Sequence, residues 1–153
     1  MLSYLHRLFT YNAWANKLIL DKILILDAPD KTVIKLFSHI LASEKIWFSR
    51  IEGVNTSGIE LWPNVSPDML ESLFIDNRKL ENEQVTHLKE FDLDTDITYT
   101  NSAGIEYHTP LKDILTHLVI HNGYHRGQLA LEMRKSSVEP VNTDFITFVR
   151  QGG

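Results

Sequence analysis

At 153 residues, with 20 acidic and 15 basic side chains, a formal charge of -5 and no cysteine, the chain has room for one continuous apolar core and not for two. The interspersed charge offers no basic field for phosphates, which excludes a nucleic-acid partner from the leading readings. The absence of cysteine removes disulfides and thiolate ligands and leaves His, Asp and Glu to hold any metal. No apolar run approaches the roughly 20 residues of a membrane span and no cleavable leader pattern opens the chain, so a single cytoplasmic domain over 1–153 is expected.

From Leu5 to Leu26 the apolar residues Leu5, Leu8, Phe9, Ala15, Ile19, Ile23 and Leu26 recur at helical spacing until Ala28-Pro29-Asp30 breaks the pattern. With Asp30 as cap, a second helix runs from Lys31 through Leu36, Phe37, Ile40, Leu41, Trp47, Phe48 and Ile51 to a stop at Gly53. The polar stretch Asn55 to Pro67 is long enough to cross from one end of a bundle to the other. Ser66-Pro67-Asp68 opens a third helix, with Leu70, Leu73, Phe74, Leu80 and Leu88 on one face. Between Asp96 and His108 the period changes to two around Asn101-Ser102-Ala103-Gly104, which predicts a small hairpin. Thr109-Pro110 opens a fourth helix to about Lys135, and Phe145, Ile146, Phe148 and Val149 suffice for a short terminal helix. The expected fold class is all-α: a four-helix bundle with a long crossover between helices two and three and a hairpin before helix four.

The chemistry concentrates in the fourth helix, where His117, His121 and His125 form a ladder at i,i+4. Leu111, Ile114, Leu118, Leu129 and Met133 define its inward stripe; His121 and His125 fall inside that stripe and His117 lies roughly 90° off its centre. Two imidazoles on an apolar face need partners, and a metal satisfies both rings at once; two separately hydrogen-bonded core histidines would satisfy them equally. The second helix offers His39 and Glu44 as a third ligand, and spacing does not choose between them. Asn12 and Asn16, also i,i+4, put amides on the apolar face of the first helix, either to orient a substrate or to knit helices together. His6, His87 and His108 read as solvated or structural. Trp14, Trp47 and Trp62 read as core or interface aromatics. Gly123 and Gly127 cost helix propensity and so suggest close approach of another helix or subunit. No His-Glu-x-x-His, di-iron Glu-x-x-His, phosphate loop or Gly-x-Ser-x-Gly elbow is present.

Tyr11-Asn12-Ala13-Trp14-Ala15-Asn16, His39-Ile40 with Glu44 and Trp47, His117-x-x-x-His121-x-x-Tyr124-His125-Arg126-Gly127-Gln128, and Pro140 with Thr143-Asp144 together resemble the DinB-like (DinB/YfiT) family of metal-binding bundles, over nearly the whole chain. The resemblance implies an up-down-down-up bundle, commonly a homodimer. It also implies one divalent metal ion, such as zinc, nickel or iron, on His39, His121 and His125. Three imidazoles leave a coordination position open, the arrangement of catalytic sites. Some members of the family look like transferases that use a low-molecular-weight thiol and others like metal-dependent hydrolases. The expected function is therefore a metal-dependent thiol S-transferase acting on a small-molecule substrate, with Asn12, Asn16 and Glu44 as candidate catalytic residues. The alternatives are a hydrolase using a metal-bound water and a non-catalytic, stress-related metal-binding bundle. Whether Arg126 and Gln128 face the site or a second subunit is left open by the sequence.

Overall fold

A computed structural model describes residues 1–101 and 103–153, with every side chain in them except that of Phe91. Ser102, which the sequence puts in the hairpin turn, lies outside the described residues. The order is α1 (Leu2–Leu24), α2 (Lys31–Ile51), α3 (Leu70–Val85), β1 (Asp96–Thr100), β2 (Glu106–Pro110), α4 (Leu111–Lys135) and α5 (Phe145–Arg150), with single 3-10 turns at Pro67–Met69 and Glu90–Asp94. The first helix thus begins and ends earlier than its apolar spacing suggests. Leu88, expected on the third helix, falls beyond that helix's end and packs against the core from the following segment.

The helix ends follow local chemistry. Asp30 accepts from the backbone N–H of Thr32 at 2.7 Å and so caps α2. At the other end Gly53 adopts φ +71°, and the N–H groups of Gly53 and Val54 donate back to the carbonyls of Arg50 and Ser49 at 3.0 and 2.8 Å. That paired return satisfies two carbonyls the helix leaves open and requires a left-handed residue, for which glycine carries no steric penalty. The strands pair antiparallel with Tyr99 opposite Tyr107, their rings stacked at 5.8 Å, and Leu111 at the head of α4 donates to the carbonyl of Thr95 at 2.9 Å.

Two apolar clusters define the bundle and its chain direction. One joins the start of α1 (Leu5, Phe9), the end of α2 (Phe48), the end of α3 (Val85) and the start of α4 (Leu111, Leu115, Leu118). The other joins the end of α1 (Ile19, Leu20, Ile23), the start of α2 (Val33 to Leu41), the start of α3 (Leu70) and the end of α4 (Leu129, Met133). Helices α1 and α4 therefore run one way and α2 and α3 the other, the up-down-down-up order. The 18 residues 52–69 cross the length of the bundle to make α2 and α3 parallel neighbours. The tail returns to the first helix: Tyr11 donates to the carbonyl of Thr143 at 2.7 Å, and Tyr11 and Trp14 pack on Phe148.

Candidate metal centre and its cleft

Between the two apolar clusters the interior turns polar. Asn12, Asn16, His39, Ser43, Glu44, Asn77, Glu81, Asn122, His125 and Arg126 are all buried there. Such groups are tolerated inside only when partnered, and their partners divide the layer into a closed half and an open half.

In the closed half Arg126 turns inward and donates to Asn12 Oδ1 at 3.1 Å and Asn16 Oδ1 at 3.2 Å. Asn16 Nδ2 donates to Asn122 Oδ1 at 3.2 Å and reaches Glu44 Oε1 at 3.5 Å, and Asn77 donates to the carbonyl of Leu41 at 2.6 Å and to Glu44 Oε2 at 3.2 Å. Burial, and after it the nearby Glu81 carboxyl, push Glu44 up to about 8. Glu81 is raised for the same reason, burial, with the ion-paired Arg78 pulling the other way. At neutral pH the acid buried beneath the histidines is therefore largely protonated. Asn12 and Asn16 are 0% and 2% exposed; they do not border the cleft described below, and they seat Arg126 and Glu44. Glu44 likewise faces amides and is not grouped with the histidines. Asn16→Ala is expected to cost about 2–3 kcal/mol of stability by taking one of two amide acceptors from a buried guanidinium and leaving Asn122 Oδ1 without its donor, read as a lower urea midpoint; an unchanged midpoint would show that Asn12 alone suffices.

In the open half three imidazoles converge. His39 on α2 and His121 and His125 on α4 place one ring nitrogen each within 4.8 Å of one another. The Nε2 of His125 lies 3.2 Å from that of His39 and 3.1 Å from that of His121. The outer nitrogens explain the inner ones. His39 Nδ1 lies 2.9 Å from the carbonyl of Leu61, an acceptor only, so it donates and leaves Nε2 as a bare lone pair. His125 Nδ1 does the same toward Gln128 Oε1 at 2.8 Å. Two lone pairs facing each other at that distance repel unless a cation sits between them. Metal–nitrogen bonds of about 2.0–2.1 Å at the tetrahedral angle put ligand nitrogens roughly 3.3 Å apart, close to what is found here. The residues present therefore fit a divalent ion. Burial pushes His121 down to about 4, with His125, His39 and His117 adding to the effect, and holds His39 below its usual range, so both rings are neutral and able to ligate near pH 7. The Nδ1 of His121 is buried without a partner.

His117 stays outside this group, as its helical phase implies, packing edge-on against Trp47 at 5.3 Å. His87 and His108 are exposed, and His108 pairs with Thr98 across the hairpin at 2.9 Å. Two expectations need correction. Trp62 is not a core residue: it is 41% exposed and stacks flat on the His39 ring, centroids 3.6 Å apart and planes 7° from parallel. Of the two close approaches that Gly123 and Gly127 suggest, that of another helix of this chain is absent among the described residues. A Cβ on Gly127 would meet nothing within 4 Å and one on Gly123 only the Arg126 side chain at 3.9 Å.

A cleft of about 760 Å³ opens on the histidines, bordered by His39, Ser43, Trp47, Arg50, His117 and His121 and, from the crossover and hairpin, by Asn55, Thr56, Leu61 and Thr100 among others. Sequence reasoning missed Arg50 here, Trp62 against the His39 ring, and Asn122, Asn77 and Glu81 in the closed half. Asn122 was findable, because it continues the inward series Leu111, Leu115, Leu118 at helical spacing. Trp62 was not, because it stands on a crossover with no period.

Among proteins of known family, the sequence model of the DinB family matches residues 1–151. Protein DinB of Bacillus subtilis (strain 168) is 22% identical over 163 residues, spanning 95% of this chain and 93% of that protein. No helix in the described residues is long and apolar enough to cross a membrane.

Proposed function

The chain belongs to the DinB family, and on that premise we propose that it holds one divalent metal ion on His39, His121 and His125 and works as a thiol S-transferase. The observation that carries the reading is the inward convergence of three Nε2 atoms, two of them with their Nδ1 protons committed outward to Leu61 and Gln128. Such fixed outer bonds are what ligating histidines have, since they set the tautomer and the ring orientation. When bound, an ion with three imidazole ligands and an open position supplies Lewis acidity that makes a thiolate or hydroxide available near neutral pH.

The chain's own residues then do the rest. Trp62 stacks on one face of the His39 ring and the Leu61 carbonyl accepts from its Nδ1, which together fix that ring's orientation. Ser43, whose Oγ lies 3.5 Å from His39 Nε2, offers a hydroxyl at the cleft floor to accept from or donate to an incoming group. In the reaction a thiol loses its proton to solvent, its sulfur forms a bond to an electrophilic carbon, and the leaving group departs with the bonding pair. The test is turnover of monochlorobimane by metal-loaded protein with bacillithiol, mycothiol or glutathione. Thiol-dependent conjugation that is at least tenfold above the buffer rate and absent from His125→Ala supports the reading. Turnover of ester or amide substrates without any thiol would replace it with hydrolysis. Turnover of neither class would leave a metal-binding bundle without catalysis.

A further inference from the structure

Arg50 stands at the far end of the cleft from the histidines, and its guanidinium has no assigned work. It packs against two aromatic rings that meet edge to face at 4.9 Å and 73°, with its Cζ 4.7 Å from the centroid of Trp47 and 5.0 Å from that of Tyr99. Among the described residues its hydrogen bonding is one long contact from Nη2 to the carbonyl of Thr100 at 3.4 Å, and its Nε is buried with no partner there. Among the described residues no carboxylate lies within ion-pair distance of it. A guanidinium held in the corner of two rings by cation–π attraction has little freedom to move, and its planar fork is suited to two parallel bonds with a planar anion. The desolvation it suffers there meets no anion among the described residues of the cleft, only the two rings and the neutral Asn55, Thr56, Ser57 and Asn101.

We propose that Arg50 is the carboxylate-recognition residue of the cleft, so that the substrate or thiol taken by the site carries a carboxylate at the end opposite its metal-directed atom. This rests on the thiol-transferase reading for the far end of the ligand. A single guanidinium without further cations or a backbone N–H nest matches the single charge of a carboxylate and not a phosphate dianion. The spacing fixes the length of the ligand. Ser43, beside the His39 ring, and Arg50 are seven residues apart on α2, a rise of about 10 Å, and Trp47 and His117 form the wall between them. A compact molecule reaches one end only; an extended one reaches both.

The test uses 8-mercaptooctanoate and its neutral counterpart 8-mercaptooctanol, each titrated calorimetrically into zinc-loaded wild type and Arg50→Met, a substitution that keeps an apolar stem against the rings. The acid is expected to bind wild type about tenfold more tightly than the alcohol. Arg50→Met should bring the acid to the alcohol's affinity and leave the alcohol unchanged. Equal binding of acid and alcohol by wild type, or a preference for the acid that survives Arg50→Met, overturns the inference. Octanoate, which has no thiol, reads the arginine end alone through the Arg50 Nε–Hε resonance in metal-free protein. If neither thiol binds but octanoate shifts that resonance, the thiol reading fails and the carboxylate site stands. If octanoate leaves it unmoved as well, both fail.

Discussion

Replacing His39, His121 or His125 by alanine, one at a time, is expected to abolish stoichiometric metal binding, whereas His117→Ala should retain about one ion per chain. Each of the first three removes one of only three nitrogen ligands, and since loss of even an outer hydrogen-bond partner of a ligand typically costs 10–100-fold in affinity, loss of the ligand itself should exceed roughly 100-fold. The same series has a thermal readout that needs no activity. An ion present at about a thousand times its dissociation constant stabilises the folded state by about 4 kcal/mol, which for a domain of this size raises the melting temperature by roughly 8–16 °C. Wild type and His117→Ala should show that rise on adding zinc and the other three should not. Metal retained in all four variants, or lost in His117→Ala alone, would sink the three-histidine site. Gln128→Leu, which removes the acceptor of His125 Nδ1, should fall between, binding 10–100-fold more weakly.

Wild-type stability should fall as pH rises from about 6.5 to above 8, and Glu44→Gln should remove most of that fall. Glu44 is raised from 4.5 to about 8 by burial first and by Glu81 second. A group whose folded-state pKa lies above its unfolded value contributes stability fully below the unfolded pKa and loses it as pH rises through the folded one. At about 1.4 kcal/mol per unit a rise from 4.5 to about 8 amounts to on the order of 4–5 kcal/mol across the whole window. The upper part of the window excludes the histidines whose pKa is lowered. His121, depressed from 6.5 to about 4, contributes stability that is complete above pH 6.5 and is lost only as pH drops toward 4, so between 6.5 and 8.5 it is silent. Urea midpoints of metal-free protein at those two pH values measure the effect. A pH slope shared equally by wild type and Glu44→Gln would mean that Glu44 is not the buried acid that titrates.

The frame of this protein was legible because its signals are local and periodic. The apolar stripes of α1, α2 and α4, the Asp30 cap, the Gly53 stop and the period-two segment before α4 each name an element from a few neighbouring residues. Phase also separated His121 and His125 from His117. Spacing could not choose between His39 and Glu44, since both lie on the interior side of α2; the choice depends on what stands opposite, three amides before Glu44 and two imidazoles before His39. Residues whose role depends on long-range placement were the hardest. Trp62 acquires its function only when the crossover lays it on His39, and Arg50 only when the hairpin brings Tyr99 against it. Arg126 was ambiguous because a basic residue after a histidine on a bundle helix is ordinarily solvated, and here it is 3% exposed.

The polar layer across the middle of the bundle also acts as a vernier. Leucine and isoleucine ends grip without direction, and sliding one helix past another by a turn, about 5.4 Å, would exchange one apolar contact for another at modest cost. The bonds from Arg126 to Asn12 and Asn16, and from Asn77 to Glu44, admit no such slide, because a displaced guanidinium or carboxyl would be left unpaired in the interior. The layer thereby fixes the axial alignment of α1, α2, α3 and α4 to a fraction of a turn, which is the tolerance needed to keep His39 of one helix 3.2 Å from His125 of another.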